Sequence, residues 1–252
     1  MPSKMDLATK LLELQQTFFP RSCSLCREAL NPKQEIFCAN CIEDLPYISH
    51  SCIRCSEPLL TASICPECQK DPPNYRQCIS LCDYSYPISL AINNIKKNPH
   101  APETKQLSRI FSEYLSRAYN DSNMPEIMIP MPAHPLKIFS RGFNQSYLIA
   151  QFLSINLENT LLRNDICFRK KLGKPQRMQN RQQRMKILAS SFGVKKSSEI
   201  QGKSLALVDD VVTTGFTAKA VTANLLQAGA KSVDLWCIAK TSWHNYSSSI
   251  KM

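Results

Sequence analysis

Two adjacent carboxylates, Asp209 and Asp210, end the apolar run Leu205–Val208, and Thr213, Thr214, Gly215, Phe216 and Thr217 follow almost at once. The run reads as a buried strand, the Thr/Gly stretch as a tight turn, and residues 218–228 as a helix. A strand end, a short loop and a helix N-terminus together make a phosphate cradle. Backbone N–H groups and the positive end of the helix dipole point at the anion. Two carboxylates do not bind phosphate themselves. They suit the hydroxyls of an attached sugar, or act through a divalent cation and its waters. The ligand these residues ask for is a sugar phosphate with vicinal hydroxyls.

The second chemical signal is cysteine. Cys23 and Cys26, Cys38 and Cys41, Cys52 and Cys55, and Cys65 and Cys68 form four CxxC pairs within 46 residues. Each pair sets two thiolates on one side of a tight turn, so two turns close a tetrahedron around zinc. Eight such ligands imply two zinc ions. This region is poor in apolar sequence, so the metal must supply much of its folding free energy. Short loops favour sequential pairing, first pair with second and third with fourth; interleaved pairing is the alternative. His50 is a substitute ligand or a surface histidine. Cys78, Cys82, Cys167 and Cys237 lack ligand spacing and read as buried.

A third signal is Pro130-Met-Pro-Ala-His-Pro135 followed by Arg141-Gly-Phe-Asn-Gln145. The prolines stiffen a loop just after a short strand, Ile127–Pro130. Arg141 offers a phosphate its bidentate fork, Gly142 permits a close turn, and Asn144 and Gln145 bring side-chain donors to a helix start. Residues 163–186 are the most basic segment: Arg163, Arg169, Lys170, Lys171, Lys174, Arg177, Arg181, Arg184 and Lys186 stand against one acid, Asp165. They suit a leaving pyrophosphate, nucleic-acid phosphates or plain solvent. Phe168 is their one aromatic, which disfavours base stacking there.

Elements must position these groups. Residues 5–19 read as an amphipathic helix with Leu7, Leu11, Leu14 and Phe18 on one side, packed on its own domain or on a partner. Residues 78–86 read as a strand. Residues 87–97 read as a helix burying Ile88, Ala91, Ile92 and Ile95. The helix at 103–119 turns Leu107, Ile110, Phe111, Tyr114 and Leu115 inward. The one after Gly142, to about Leu157, buries Tyr147, Ala150, Leu153 and Leu157. Strands at 204–208 and 232–239 flank the 217–228 helix, with Gly229 as its stop. Alternating strands and helices argue for an α/β fold, a parallel sheet with helices on both faces. The ligand then sits at the carboxyl ends of the strands.

Composition divides the chain. Residues 1–80 hold eight Lys and Arg against nine Asp and Glu; residues 81–252 hold 23 against 11. The whole +11 excess thus belongs to the C-terminal part and favours a polyanionic partner. Ten of the twelve cysteines precede residue 83, and all six glycines lie at or after Gly142. We therefore expect a helix and zinc module at 1–75 and an α/β domain at 76–252. Neither a leader peptide nor a membrane-spanning run of roughly 20 apolar residues is expected. The expected location is the cytoplasm, where cysteines stay reduced.

The 205–217 run resembles the phosphoribosyl-pyrophosphate (PRPP) motif of type I phosphoribosyltransferases. That resemblance implies that Asp209 and Asp210 hold ribose hydroxyls while Thr213, Thr214, Gly215, Phe216 and Thr217 wrap the 5′-phosphate. Phe216 is bulkier than the residue usual there. Thr213 replaces the Asp of purine-salvage members, which argues against a hypoxanthine-type enzyme. The CxxC pairs, the Pro-Met-Pro…His-Pro loop, Arg-Gly-Phe-Asn-Gln and this motif, in that order, look like the competence protein F family over about residues 20–240. The resemblance implies a zinc module joined to a phosphoribosyltransferase-like domain, with a role in natural transformation and single-stranded DNA. It further implies that 130–135 faces pyrophosphate, that Lys96 and Lys97 form a basic spot by the ligand, and that 163–186 closes over PRPP.

Three roles follow: a single-stranded-DNA-binding accessory of DNA uptake, partnered by DNA-uptake or DNA-processing proteins; an active transferase using magnesium with PRPP; and a PRPP-sensing module. The resemblance favours the first. No residue stands out as a general base, so the catalytic residue and the acceptor are unassigned.

Overall fold

The computed structural model describes residues 21–31, 34–61, 63–119, 124–170 and 188–242. The helix expected at 5–19 and residues 171–186 of the basic segment lie outside them. By compactness the chain forms two units, Met1–Leu45 and Pro46–Met252.

The first unit is built on one cysteine knuckle. The amide of Cys23 donates to the Glu28 carbonyl (2.8 Å) and that of Arg27 to the Cys23 carbonyl (2.9 Å), with Arg27 at φ 70°. Cys38 then caps helix α1, Ala39–Glu43, its sulfur accepting from the Cys41 amide.

The second unit opens on the same device. The Cys52 amide donates to the Glu57 carbonyl (2.8 Å) and Ser56 to Cys52 (2.9 Å), with Ser56 at φ 57°. Cys65 precedes helix α2, Pro66–Lys70. A sheet follows. Strands β1 (Cys78–Asp83), β2 (Ile127–Pro130), β3 (Leu161–Leu162), β6 (Ser204–Val212) and β7 (Ser232–Lys240) lie in the order β1-β7-β6-β2-β3. Every pairing among them is parallel. Strands β4 (Cys167–Arg169) and β5 (Phe192–Val194) form a separate antiparallel pair.

Alternation along the strands sends side chains to two faces. Ile127, Ile129, Leu205, Leu207, Val233 and Leu235 share one core with Ala218, Val221 and Leu225 of helix α7, Phe216–Gln227. The opposite face carries Trp236, whose indole N–H donates to the Tyr119 hydroxyl (2.8 Å). Tyr119 ends helix α4, Pro102–Tyr119; it and Arg76 donate to the buried Asp234 carboxylate. Helix α3 (Ile88–Lys97) buries Ile88, Ala91, Ile92 and Ile95 as expected. Helix α5 (Pro135–Arg141) follows β2, and helix α6 (Gln145–Asn156) follows α5.

The α/β parallel sheet with flanking helices, behind a zinc module, is the fold expected. Three local readings are corrected. Strand β1 stops at Asp83, not at residue 86. In α6, Ile149 is buried where Tyr147 was expected to be; Tyr147 is half-buried. Strand β6 runs through both carboxylates to Val212, because β7 continues its ladder as far as Lys240. Gly229 does stop α7: at φ 100°, it lets the Ala230 amide reach back to the Leu225 carbonyl (3.1 Å).

Candidate functional site

Strands β2 and β6 are parallel neighbours whose following connections diverge. After β2 the chain runs to β3 on one side; after β6 it runs through α7 to β7 on the other. This is a topological switch point, where a crevice opens at the strands' carboxyl ends. The amide of Met131, just past β2, donates to the Val208 carbonyl (2.8 Å) and keeps the two ends together.

The carboxylate pair sits there. Asp209 Oδ1 accepts from Ser146 Oγ and from the Asp210 amide, each at 2.9 Å. Asp210 is buried and stands 3.1 Å from Lys96 Nζ at the end of α3. Lys96 also lies over the Tyr84 ring, 5.7 Å from its centroid. Burial, then the neighbouring charge of Asp210, holds the Asp209 carboxyl well above the usual carboxylate range. One acid is thus matched to a cation and the other is not, which leaves the site short of positive charge.

The cradle is Thr213, Thr214 and Gly215. The two threonines are exposed and Gly215 is buried at φ 71°. Gly215 is the N-cap of α7, its carbonyl accepting from the Lys219 amide at 2.9 Å. Phe216 and Thr217 belong to the first turn of that helix, so the amides of this turn face the loop. A methyl group on Gly215 would stand 3.3 Å from the Tyr75 hydroxyl. Tyr75 comes from the segment after α2, which also grips the helix start. Asn74 Nδ2 donates to the Lys219 carbonyl (2.9 Å), and Lys219 Nζ to Asp71 Oδ2 (2.9 Å). Asp71, Asn74 and Tyr75 escaped the sequence reading; their only signal was position, just after the last CxxC.

The second signature is bolted to the first. Asn144 caps α6, its Oδ1 accepting from the Ser146 amide (3.1 Å). Its Nδ2 donates to the Met131 carbonyl (3.0 Å). Gln145 is buried rather than offered to a ligand. Arg141 closes α5, and its Nη1 is buried with no hydrogen-bond partner among the described residues. A buried guanidinium N–H without an acceptor fits an anionic ligand such as PRPP. Ser146 was missed; it stands one residue beyond the Arg-Gly-Phe-Asn-Gln run.

The described start of the basic segment is internally spent. Arg163 bonds Asp165 and Glu199, Lys196 bonds Asp165, and Arg169 lies 5.2 Å from the Phe192 ring centroid. Arg177, Arg181 and Arg184 lie outside the described residues. Lys97 is exposed.

The eight cysteines meet in two clusters, Cys23, Cys26, Cys38 and Cys41, and Cys52, Cys55, Cys65 and Cys68, the sulfurs of each within 4.8 Å of one another. The pairing is therefore sequential. A tetrahedron of sulfurs about 2.3 Å from zinc has edges of about 3.8 Å. Cys26 and Cys38, and Cys55 and Cys65, stand 3.7 Å apart. Amides support the sulfurs: Cys38 N to Cys23 Sγ (3.4 Å) and Cys65 N to Cys52 Sγ (3.3 Å). Burial pushes the Cys41 and Cys55 thiols up, while amide donors outweigh burial and bring Cys23 down to about 6. Each donor set fits zinc. Cys78, Cys82, Cys167 and Cys237 are buried outside both clusters.

The second cluster is fastened to the sheet. Ser56 Oγ donates to the Cys78 carbonyl (2.7 Å), and the Cys78 amide to Arg54 (2.9 Å). Glu57 and Lys240 form a buried ion pair at 3.0 Å. Among the described residues no helix is long and apolar enough to cross a membrane.

Residues 14–69 match the family described as a double zinc ribbon domain. The DNA utilization protein YhgH of Escherichia coli O157:H7 is 29% identical over 225 residues, covering 88% of this chain and 98% of that protein. Competence protein F of Haemophilus influenzae is 29% identical over 231 residues, again covering 88% of this chain and 98% of that protein. Among solved structures, a purine phosphoribosyltransferase from Pyrococcus horikoshii is 18% identical, covering 54% of this chain and 70% of that one, with a TM-score of 0.33. The chain is a homologue of the proteins named DNA utilization protein YhgH and competence protein F, and it carries an N-terminal double zinc ribbon.

Proposed function

We propose that this protein is a cytoplasmic competence factor that handles single-stranded DNA and binds PRPP, or a related sugar phosphate, at the β6–α7 turn. The observation that carries the ligand reading is the meeting of four features at one switch point. They are the Asp209–Asp210 pair, the Gly215 cradle at a helix N-terminus, the Lys96 cation and the buried, acceptor-less Nη1 of Arg141. Asp209 and Asp210 take the ribose hydroxyls, the cradle takes the 5′-phosphate, and Arg141 takes the pyrophosphate. Magnesium arrives with PRPP and offsets the charge deficit that two neighbouring carboxylates create. The DNA reading rests on the relatives named for DNA utilization and competence, and on the positive charge concentrated after residue 80.

A second reading, transfer of the phosphoribosyl group, is favoured by the same intact pair and cradle. It needs an acceptor that is itself a good nucleophile, because charge stabilisation and positioning carry such chemistry. Calorimetric titration of PRPP, with and without magnesium, tests the ligand reading. The parent should bind and the Asp209→Ala/Asp210→Ala variant should not, while both keep the same zinc content and circular dichroism. Equal binding by parent and variant would show that the carboxylates hold no ligand. No binding by the parent would end the PRPP reading.

A further inference from the structure

Helix α5 sits at the switch point and buries none of its residues. Leu136 is 71% exposed, Ile138 42% and Phe139 91%. The helix is not a loose end. The His134 side chain accepts from the Leu136 amide at its start, and the Gly142 amide closes its end on the Ile138 carbonyl (2.7 Å). The excursion is pinned at its base by the bonds from Met131 to Val208 and from Asn144 to Met131. A helix this firmly held, with its apolar side chains outward, presents them to something. Leu136 and Phe139 are three residues apart and share one stripe; Lys137 and Arg141 are four apart and share the next.

The charge around the helix decides among occupants. From Ile127 to Leu157 the chain has no Asp or Glu, while Lys137, Arg141 and His134 fall within that stretch. A second copy seated on this face would set Lys137 and Arg141 against their equivalents with no carboxylate in the segment to neutralise them. A single-stranded nucleic acid supplies what both stripes lack, flat bases for Phe139 and phosphates for Lys137.

We propose that α5 is a stacking platform for single-stranded nucleic acid: a base lies on Phe139 against Leu136 while Lys137 takes a backbone phosphate, leading the strand past the PRPP site. This rests on the DNA reading above, and it moves the bases away from residues 163–186.

The test is fluorescence anisotropy with a labelled oligo-dT, an oligo-rU of equal length and an abasic strand. The parent should bind both base-bearing strands more tightly than the abasic one; the dT-to-rU ratio separates DNA from RNA as the source. Phe139→Ala should weaken oligo-dT binding by between about fivefold and a hundredfold. It should leave abasic binding and the salt dependence unchanged, and Phe139→Trp should restore affinity. Lys137→Gln should instead lower the salt slope by about 0.7. Because Phe139 is on the surface, zinc content and melting temperature should match the parent. If the parent binds oligo-dT and Phe139→Ala binds it equally well, the platform is refuted while the DNA reading stands. If Phe139→Ala dissociates a dimer in sedimentation without changing oligonucleotide affinity, a second copy is the occupant and the platform is refuted. If the parent binds no strand, the DNA reading falls and the platform with it.

Discussion

Replacing Asp209 with Asn should stabilise this protein at neutral pH while weakening its ligand site. Asp209 Oδ1 accepts from Ser146 and from the Asp210 amide, and an Asn side chain keeps that acceptor with nearly the same shape. What it removes is a charge that burial and Asp210 make unfavourable. A carboxyl whose folded pKa lies above its unfolded value of about 3.9 contributes stability that is full below that value. The contribution is lost as pH rises through the folded pKa. At pH 8 the parent therefore carries the whole penalty, and each unit of elevation is worth about 1.4 kcal/mol. A gain of about 1 kcal/mol should raise the melting temperature of a unit this large by about 2–4 °C. Differential scanning fluorimetry of parent and variant, side by side from pH 8 to pH 5, reads the difference directly. Zinc loss affects both proteins alike and cancels. The gap should be widest at pH 8 and narrow as pH falls. A variant less stable than the parent at pH 8, or a gap that does not change with pH, would refute the reasoning. PRPP titration of the same variant should show weaker binding, as expected where a site keeps charges that folding alone would discard.

Elemental analysis of protein purified without chelator should find two zinc ions per chain, and Cys23→Ser should lose one of them because only the first cluster contains that residue. Glu57→Ala should cost about 3–5 kcal/mol in urea unfolding, since it strands the Lys240 ammonium, 4% exposed, without its carboxylate. Adding Lys240→Met should recover most of that loss; a single variant within about 1 kcal/mol of the parent would mean that water reaches the pair.

Features with a local cause were legible before any coordinates. CxxC spacing dictates a knuckle because two sulfurs on one tight turn need only a few residues. The inward face of helix 88–97 follows from apolar residues at three- and four-residue intervals. Gly215 and Gly229 mark turns because their left-handed backbone is costly for any other residue. Strand β6 was cut short at Val208 because hydrophobicity was taken as its limit, whereas the ladder with β7 depends on backbone pairing and runs on beneath the acids.

Other features needed the chain to fold back on itself. Which CxxC turn meets which was open in sequence; the sheet-side docking and the amide-to-sulfur bonds made it sequential. Ser146 reaches Asp209 across 63 residues, Asp71 reaches Lys219 across 148, and Glu57 reaches Lys240 across 183. No periodicity encodes such pairs, because each partner is an ordinary polar residue in its own neighbourhood. Sequence by itself determined the ligand chemistry on offer, two zinc sites and a sugar-phosphate turn, because that chemistry lies in residue types at short spacing. The tertiary structure alone decided that Lys96 answers Asp210 and not Asp209, that Arg141 keeps a buried donor unspent, and that Phe139 faces outward beside them. Those outcomes are set by which strand ends the parallel sheet brings together.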